Sequence, residues 1–343
     1  MAIDADISET QMLLNYGDAV CMNLLKDHTT QQNIYWATDS YAEALGDGYS
    51  FFDQITLDKI TGDNGMVIRP RALKTKEEQT QRAKDKAEVF TPTWICNAQN
   101  NLIDEAWFGR KDDLFNVADP KNSCNWITNE DKILFPNTPG KTWKDYVADT
   151  RLEITCGEAP YLANRYDAAT GFFNERVRYR IGILDRKLRI VSENTETSQE
   201  WLIWGKIALR STYGFEWQGD NLLLAREALF YSFAEHYIEK FGEQKYNRIK
   251  SKVMGGVAYI VSWNLWQMDG LTYGLPGYTP IESKQLSLFK EESSISSPFT
   301  KFCVIKDFLN GVNIHKDKIS RNDFHDLNAP QQTFVSLTKK QNL

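Results

Sequence analysis

The sequence predicts an α/β fold in which a mostly parallel, twisted sheet carries helices on both faces. Three segments have the apolar, β-branched or aromatic composition of strands, at residues 151–155, 179–184 and 259–263. Helical spacing of apolar residues occurs between the second and third of these, at 199–210 and 222–241. Strands that alternate with helices form parallel sheets. Such sheets bind ligands beyond the carboxyl ends of their strands.

The segments on either side of this sheet predict further helices, strands and domain boundaries. Helices are predicted at 8–27, capped by Ser8, at 71–86, from Pro92 through Trp107, and at 141–148, with short strands and turns at 31–68, an irregular segment at 111–140 and a last strand at 302–308. We therefore expect an N-terminal helical and mixed extension at 1–80, a candidate DNA or partner contact. The α/β domain follows at 81–280, a flexible linker rich in Ser, Glu and Lys at 281–298, and a strand with a polar tail at 299–343.

Composition sets limits on the class of protein. Of the 343 residues, 42% are hydrophobic and 13% aromatic, which is enough for a substantial core and argues against disorder. The five cysteines are scattered without a CxxC pair, and the four histidines lack ligand spacing, so neither a metal site nor a disulfide framework is expected. No apolar run has the length of a membrane span, and the acidic N-terminus lacks a secretory signal. We expect a cytoplasmic protein without membrane contact.

The formal net charge of −6 means that any contact with DNA requires a local basic surface. Two clusters are candidates: Arg69, Arg71, Lys74, Lys76, Arg82, Lys84 and Lys86, and then Arg176, Arg178, Arg180, Arg186, Lys187 and Arg189. The alternative for each cluster is an ordinary solvated face of a helix or strand.

Four short motifs carry candidate chemistry. They are Leu152–Ala159, Ala87–Pro92, Gly219–Leu222 and Ile260–Gln267. The first of them predicts a strand followed by an acid and a glycine turn. A glycine after a strand lets the backbone approach a ligand, and a nearby acid accepts from an ammonium or a hydroxyl. Taken singly, each motif is also consistent with a turn, a helix start or core packing. Their order and spacing together are the informative observation.

Taken together, residues 80 to 275 resemble the gamma-type N6-adenine DNA methyltransferases, which include modification subunits of restriction systems. Phe90-Thr91-Pro92 matches the Phe-Thr-Pro segment of that family. Leu152–Ala159 matches its Leu-Asp-Pro-x-Cys-Gly-x-Gly loop, with Glu153 for Asp, Ile154 for Pro and Ala159 for the last Gly. Gly219-Asp220 matches a Gly-Asp pair, and Asn264-Leu265-Trp266-Gln267 stands where the family has Asn-Pro-Pro-Tyr. The resemblance implies a Rossmann-like class I methyltransferase fold.

The resemblance also implies a cofactor, S-adenosyl-L-methionine (SAM), and the residues that hold it. These are Phe90, Thr91, Pro92, Glu153, Thr155, Cys156, Gly157, Asp185, Asp220 and Asn221. Glu153 is assigned to the methionine ammonium and Gly157 to close backbone approach. Asp185 is assigned to the ribose hydroxyls, with a surface turn acid as its alternative, and Asp220 to the adenine amino group.

For catalysis, the resemblance implies a site-specific adenine DNA methyltransferase whose catalytic residues are Asn264, Trp266 and Gln267. The side-chain oxygen of Asn264 accepts from the exocyclic amine of an adenine flipped out of the duplex, which orients its lone pair toward the sulfonium methyl. Trp266 stacks on that base, because Gln267 occupies the position of the family's aromatic residue. No metal is implied.

Other functions and partners remain open at this point. The altered tetrapeptide is also consistent with a catalytically degenerate subunit that binds SAM or DNA within a restriction-modification complex. RNA and protein methyltransferases share most of these motifs, because fold does not fix substrate. A restriction or specificity subunit is one candidate partner. Another is the sliding clamp, since Gln285-Leu286-Ser287-Leu288-Phe289 resembles a clamp-binding peptide; its alternative is a short strand folded onto the domain.

Overall fold

The computed structural model describes residues 8–86, 88, 91–111, 114–277, 301–316, 319–324 and 326–340. The helices are α1 (Glu9–Tyr16), α2 (Asp18–Leu25), α3 (Ala42–Leu45), α4 (Leu57–Ile60), α5 (Lys76–Lys86), α6 (Thr93–Phe108), α7 (Trp143–Ala148), α8 (Ile183–Asn194), α9 (Ser198–Arg210), α10 (Gly219–Phe241), α11 (Glu243–Asn264) and α12 (Phe334–Lys340). The strands are β1 (Asn116–Asp119), β2 (Asn122–Thr128), β3 (Arg151–Glu153), β4 (Thr212–Glu216), β5 (Leu265–Gln267), β6 (Val304–Lys306) and β7 (Gln331–Thr333). Short 3₁₀ helices lie at Gly62–Asn64, Arg71–Leu73, Val177–Tyr179 and Arg321–Asp323.

A three-stranded parallel sheet forms the centre of this mixed α/β fold. Its order is β3-β4-β5, with Arg151 opposite Thr212 and Gly214 opposite Leu265. The helices α8 and α9 connect β3 to β4, and α10 and α11 connect β4 to β5. Two antiparallel pairs, β1-β2 and β6-β7, lie outside this sheet. The prediction of a parallel sheet with helical crossovers is therefore confirmed, for a sheet of three strands.

Two of the predicted strands are wrong. Residues 259–263 belong to α11, although Ile260 and Val261 are β-branched, because the segment continues a long helix that is buried against α2 and α10. Residues 179–184 cover the end of a 3₁₀ helix and the start of α8. There, a Cβ on Gly182 would lie only 2.6 Å from the carbonyl oxygen of Leu162, so the chain passes too close for a larger residue.

The predicted helices agree better with the structure. The spans 199–210 and 222–241 fall within α9 and α10, and α6 begins directly after Pro92. The predicted helix 8–27 is divided at Gly17, whose φ of 80° ends α1 and begins α2. The predicted helices 71–86 and 141–148 form in their later parts, as α5 and α7, and the strand 302–308 is shortened to β6.

The N-terminal segment shares one hydrophobic core with the sheet and its helices. This core contains Met12, Leu24 and Trp36 together with buried residues of α10 and α11. Arg226, fully buried in α10, fastens these parts together by donating to the carbonyl oxygens of Leu24 and Leu265 at 2.5 and 2.7 Å. The predicted boundary at residue 80 therefore does not coincide with a break in the core.

Candidate functional site

A cleft of about 790 Å³ lies at the carboxyl ends of all three parallel strands. It is lined by residues 153–157 after β3, residues 216–218 after β4 and residues 268–271 after β5, together with Lys84, Glu88, Thr91, Pro160, Tyr161 and Asn221. We call this the strand-end cleft. Its position is the one that parallel sheets use for ligands, because the loops that leave the strands converge there.

The loop after β3 holds an unusual backbone path at the floor of the cleft. Thr155, Gly157 and Ala159 have φ values of 49°, 54° and 61°, in the left-handed region. For residues other than glycine this conformation costs about 1–2 kcal/mol each. The amide of Cys156 donates to the carbonyl oxygen of Phe215 at 2.8 Å, which ties the loop to β4. The strained backbone of this loop therefore lies at the strand-end cleft.

Glu216, the last residue of β4, fixes the geometry on the opposite side of the floor. Its carboxylate accepts from the amide of Gly157 at 2.9 Å and from the amide of Gln218 at 3.1 Å. Burial raises the pKa of Glu216, and these backbone hydrogen bonds only partly oppose that rise. The sequence prediction missed this residue, although an acid that ends a buried strand before the Gly219-Asp220 pair was the signal that indicates it.

Glu153, the last residue of β3, carries an unsatisfied oxygen. Its Oε2 is buried and has no hydrogen-bond partner among the residues that the structure describes. Burial raises the pKa of Glu153 well above its ordinary value; amides of Tyr161 and Leu162 lower it in part, and the nearby Glu216 raises it further. A buried acceptor without a partner is costly. A cationic donor in the cleft would therefore satisfy this oxygen.

A second set of unsatisfied acceptors lies where α5 and α10 meet the cleft. Glu88 binds the guanidinium of Arg82 at 2.6 Å, and the amide nitrogen of Asn221 donates to the same carboxylate at 3.4 Å. The other oxygens, Glu88 Oε1 and Asn221 Oδ1, are buried without a partner within the described ranges. This corner of the cleft therefore suits a ligand that donates hydrogen bonds.

The loop after β5 supplies Asp269, another residue that the sequence prediction missed. Its carboxylate accepts from the amides of Leu271 and Thr272 at 2.7 and 3.3 Å, which shapes the turn at the cleft. The prediction went wrong here because it placed the strand at 259–263, whereas β5 begins at Leu265. Once the strand is shifted, Asp269 and Gly270 stand at its carboxyl end, as the glycine loop does after β3.

The structure brings six of the ten predicted cofactor residues to the cleft. These are Thr91, Glu153, Thr155, Cys156, Gly157 and Asn221. Pro92 precedes α6 directly after Thr91 and does not itself line the cleft. Phe90 lies outside the described residues, as does the clamp-like segment 285–289.

Asp185 and Asp220 do not line the cleft, because each is buried in another set of bonds. Asp185 accepts from the amide of Asn164 at 2.7 Å and lies 3.0 Å from the imidazole of His236. Asp220 binds Arg82 at 2.8 Å and Lys74 at 3.4 Å. The proposed roles at the ribose and at the adenine amino group are therefore not supported by the placement of these two side chains.

The three residues assigned to catalysis are also buried away from the cleft. The amide nitrogen of Asn264 donates to the carbonyl oxygens of Leu209 and Thr212 at 2.7 and 3.0 Å, while its oxygen has no partner among described residues. Trp266 packs in an aromatic cluster with Tyr213, Phe215 and Phe334. Gln267 bonds to the backbone of Tyr35 and Trp217. In this structure the tetrapeptide cross-links the core.

Among the side chains that the structure describes, both basic clusters are interrupted by buried or ion-paired members. In the second cluster, Arg180, Arg186, Lys187 and Arg189 are buried, and they bind Glu235, Asp104, backbone carbonyls and Glu193 respectively. In the first cluster, Lys74 and Arg82 are buried and Arg69 pairs with Glu78. Five of the thirteen residues in the two clusters, Lys74, Arg82, Arg180, Arg186 and Arg189, thus serve buried ion pairs and are not available to bind phosphate.

Comparisons with known proteins add no assignment. No protein-family model matches the chain, and neither a curated protein nor a solved structure shows significant similarity to it.

All five cysteines are free, and four of them are buried. Within the described residues, no group of three or more His, Cys, Asp or Glu side chains is arranged to hold a metal ion. No helix in the described ranges is long and apolar enough to cross a membrane.

Proposed function

We propose that the strand-end cleft binds S-adenosyl-L-methionine and that the chain serves methylation of N6 of adenine in DNA. The observation that supports this best is the convergence of the ends of β3, β4 and β5 on one cleft, with an acid at each end: Glu153, Glu216 and Asp269. SAM carries a sulfonium, an ammonium and a carboxylate, so its net charge is positive. An acidic cleft attracts such a ligand, because opposite charges interact strongly where burial lowers the dielectric constant.

The residues present fit this cofactor. The unsatisfied Oε2 of Glu153 suits the methionine ammonium, as the resemblance implies. Gly157, which lacks a side chain, allows the backbone to approach the ligand. Glu216 replaces Asp185 as the candidate for the ribose hydroxyls, the role that an acid plays in dinucleotide-binding βαβ units. The acceptors of Glu88 and Asn221 suit an amino group of the adenine.

When bound, SAM supplies an activated methyl group, and the chain's own residues would position it. Glu153 would hold the ammonium as a carboxylate, and the positive charge of the ammonium would oppose the rise that burial causes in the pKa of Glu153. The strained loop at Thr155 and Ala159 would fix the position of the ligand without reorganisation, because its backbone is already set by bonds to β4. The acids of the cleft would favour the cationic cofactor over its neutral sulfide product.

Binding of SAM to the purified chain, measured by isothermal titration calorimetry, tests the proposal. We expect saturable binding at one site and at least a tenfold loss of affinity in Glu153→Gln. The exposed Glu77→Gln on α5 is the matched control and should bind like the wild type. Equal affinity for the wild type and Glu153→Gln would remove the cleft assignment.

A second candidate function, a SAM-binding subunit that does not itself methylate, is favoured by the placement of Asn264. Its amide nitrogen is held by two backbone carbonyls, and its side chain is 1% exposed. An adenine could not reach this residue without unfolding the end of α11. Transfer of labelled methyl groups to DNA that lacks N6-methyladenine distinguishes the candidates. Cofactor binding without transfer supports the subunit, whereas transfer by the chain alone supports the enzyme.

A further inference from the structure

The outer edge of β3 has no neighbouring strand in the part of the chain that the structure describes. β3 pairs with β4 alone, and the sheet ends there. The amide of Arg151 donates to Ser211 on the β4 side at 2.9 Å. Successive residues of a strand direct their amides to opposite edges, so Leu152 directs its backbone groups outward. β3 is three residues long, so its open edge consists of the amide and the carbonyl of Leu152.

The faces of β3 are also less covered than those of its neighbours. All five residues of β4 and all three of β5 are buried. In contrast, Leu152 on β3 is 42% exposed, and Ile154, which follows the strand, is 66% exposed. Parallel strands in α/β proteins are normally covered on both faces, because crossover helices pack there. The apolar side chains of this edge thus lack the cover that the rest of the sheet has.

The missing neighbour has a defined place in doubly wound sheets. From β5 through β4 to β3, the order corresponds to strands 3-2-1 of such a sheet. In the complete order, strand 4 lies beside strand 1, and the ligand crevice opens where the order reverses. Here the cleft lies at the carboxyl end of β3, and the sheet stops where the reversal would begin. On the far side of the reversal, no strand of the described residues contributes its carboxyl end to the cleft.

We propose that a second, different polypeptide adds a parallel strand to the outer edge of β3, packs on Leu152 and Ile154, and forms the missing wall of the cleft. A parallel strand would bring its own carboxyl end to the cleft, where the residues that contact a bound ligand lie in such sheets. The inference rests on the proposed function in this last respect only. It would explain why the described residues hold a cofactor cleft while Asn264 lies buried elsewhere.

Charge indicates the chemistry of that partner. The charged residues that line the cleft are four acids, Glu88, Glu153, Glu216 and Asp269, and one cation, Lys84. A lining with four acids and one cation does not favour phosphate, and five members of the basic clusters, Lys74, Arg82, Arg180, Arg186 and Arg189, are engaged in buried ion pairs. The partner should therefore present a basic surface beside β3, which complements the acidic rim and supplies the DNA contact.

A second copy of this chain is a poorer occupant of the edge. Copies that pair their β3 edges about a two-fold axis perpendicular to the sheet are antiparallel, so their clefts point in opposite directions. Neither cleft would then gain a wall. The acidic rims would also offer no complementary charge. A dimer is accordingly an outcome that contradicts the proposal.

Hydrogen–deuterium exchange of the purified full-length chain gives the first test. We expect the amides of Leu152 and Ile154 to exchange at least a hundredfold faster than the amide of Tyr213 in the buried β4. Slow exchange at Leu152 in a monomer would show that the chain covers its own edge and would overturn the proposal. This readout does not depend on SAM, so it remains informative if the proposed function fails.

Site-specific photo-crosslinking gives the second test. p-Benzoylphenylalanine in place of Leu152 should form an adduct with one other polypeptide in the cells that encode this chain. The same probe in place of Leu134, exposed outside the sheet, should not form that adduct. The captured polypeptide, once purified, must slow hydrogen–deuterium exchange of the amides at positions 152 and 154 of the wild type at least tenfold. It must not slow exchange at these positions in the Leu152→Lys variant. No adduct, an adduct within the chain or with a second copy, or no protection would each overturn the proposal.

Discussion

The amide of Gly157 donates a 2.9 Å hydrogen bond to the carboxylate of Glu216, and this bond joins the loop after β3 to the end of β4. The second oxygen of Glu216 accepts from the amide of Gln218 at 3.1 Å. One buried side chain thus satisfies amides on two of the three loops that line the cleft. Both the shape and the charge of the cleft therefore depend on this carboxylate.

We predict that Glu216→Gln lowers the free energy of unfolding by about 1–3 kcal/mol, because an amide group cannot accept from both backbone amides. SAM affinity should fall at least tenfold, since the loops that line the cleft lose their common anchor. Urea unfolding and calorimetric titration measure the two effects. A variant with unchanged stability and affinity would show that the Gly157 contact does not organise the cleft. Glu77→Gln serves again as the exposed control.

We predict that SAM affinity rises with pH and that Glu153 causes this rise. Burial holds the pKa of Glu153 well above its ordinary value, so this carboxyl loses its proton at a higher pH than a solvent-exposed glutamate does. The ammonium of the ligand favours the carboxylate, and binding therefore releases a proton. Titrations in buffers with different ionisation enthalpies measure that release. Glu153→Gln should abolish it; persistence of the release in this variant would assign it to another group.

We predict that Asp220→Asn destabilises the fold by about 3–5 kcal/mol, because it leaves the buried Arg82 and Lys74 without their shared carboxylate. Burial alone would raise the pKa of Asp220, but Arg82 and Lys74 lower it far below the ordinary value. The stabilisation is therefore present at neutral pH and is lost as the pH falls below about 4. Urea unfolding at several pH values measures this loss. Equal stability of the variant and the wild type at pH 7 would contradict the assignment.

We predict that Glu158→Gln gains stability relative to the wild type as the pH rises from 5 to 8. Burial raises the pKa of Glu158 to about 7, although Lys74 and the hydroxyl of Tyr166 partly oppose that rise. The folded state therefore binds a proton that the unfolded state releases near pH 4.5, and wild-type stability falls between these values. The glutamine mimics the protonated acid, so the difference should reach about 3 kcal/mol by pH 8. A constant difference between pH 5 and pH 8 would exclude this titration.

Much of the helical part of the fold could be predicted from the sequence. The 3.6-residue spacing of apolar side chains locates α9 and α10, and Pro92 locates the start of α6. The strand at Arg151 was predicted from its composition, although Leu152 proved exposed. The periodicity of apolar residues gave a wrong strand at Tyr259–Trp263. A short buried helix segment and a buried strand both consist of consecutive apolar residues, so their sequence patterns do not differ.

The cleft residues were predictable where they follow a strand directly. Glu153, Thr155, Cys156 and Gly157 all line the strand-end cleft, and the strand, the acid and the glycine turn that indicate them are contiguous in the sequence. Asp185 and Asp220 do not line it, because an acid near a predicted strand end is indistinguishable in sequence from one that pairs with Arg82 or His236. Only the three-dimensional neighbours separate these cases.

The direct joining of α10 to α11 at Gly242 has a consequence for the order of folding. The two helices form an antiparallel hairpin whose contacts are close in sequence, so they require little loop closure and should form early. By contrast, pairing Arg151 with Thr212 must wait until a loop of about sixty residues has closed. We therefore expect the strands to assemble on the long hairpin, and mutations within the hairpin should slow refolding more than mutations in β3 do.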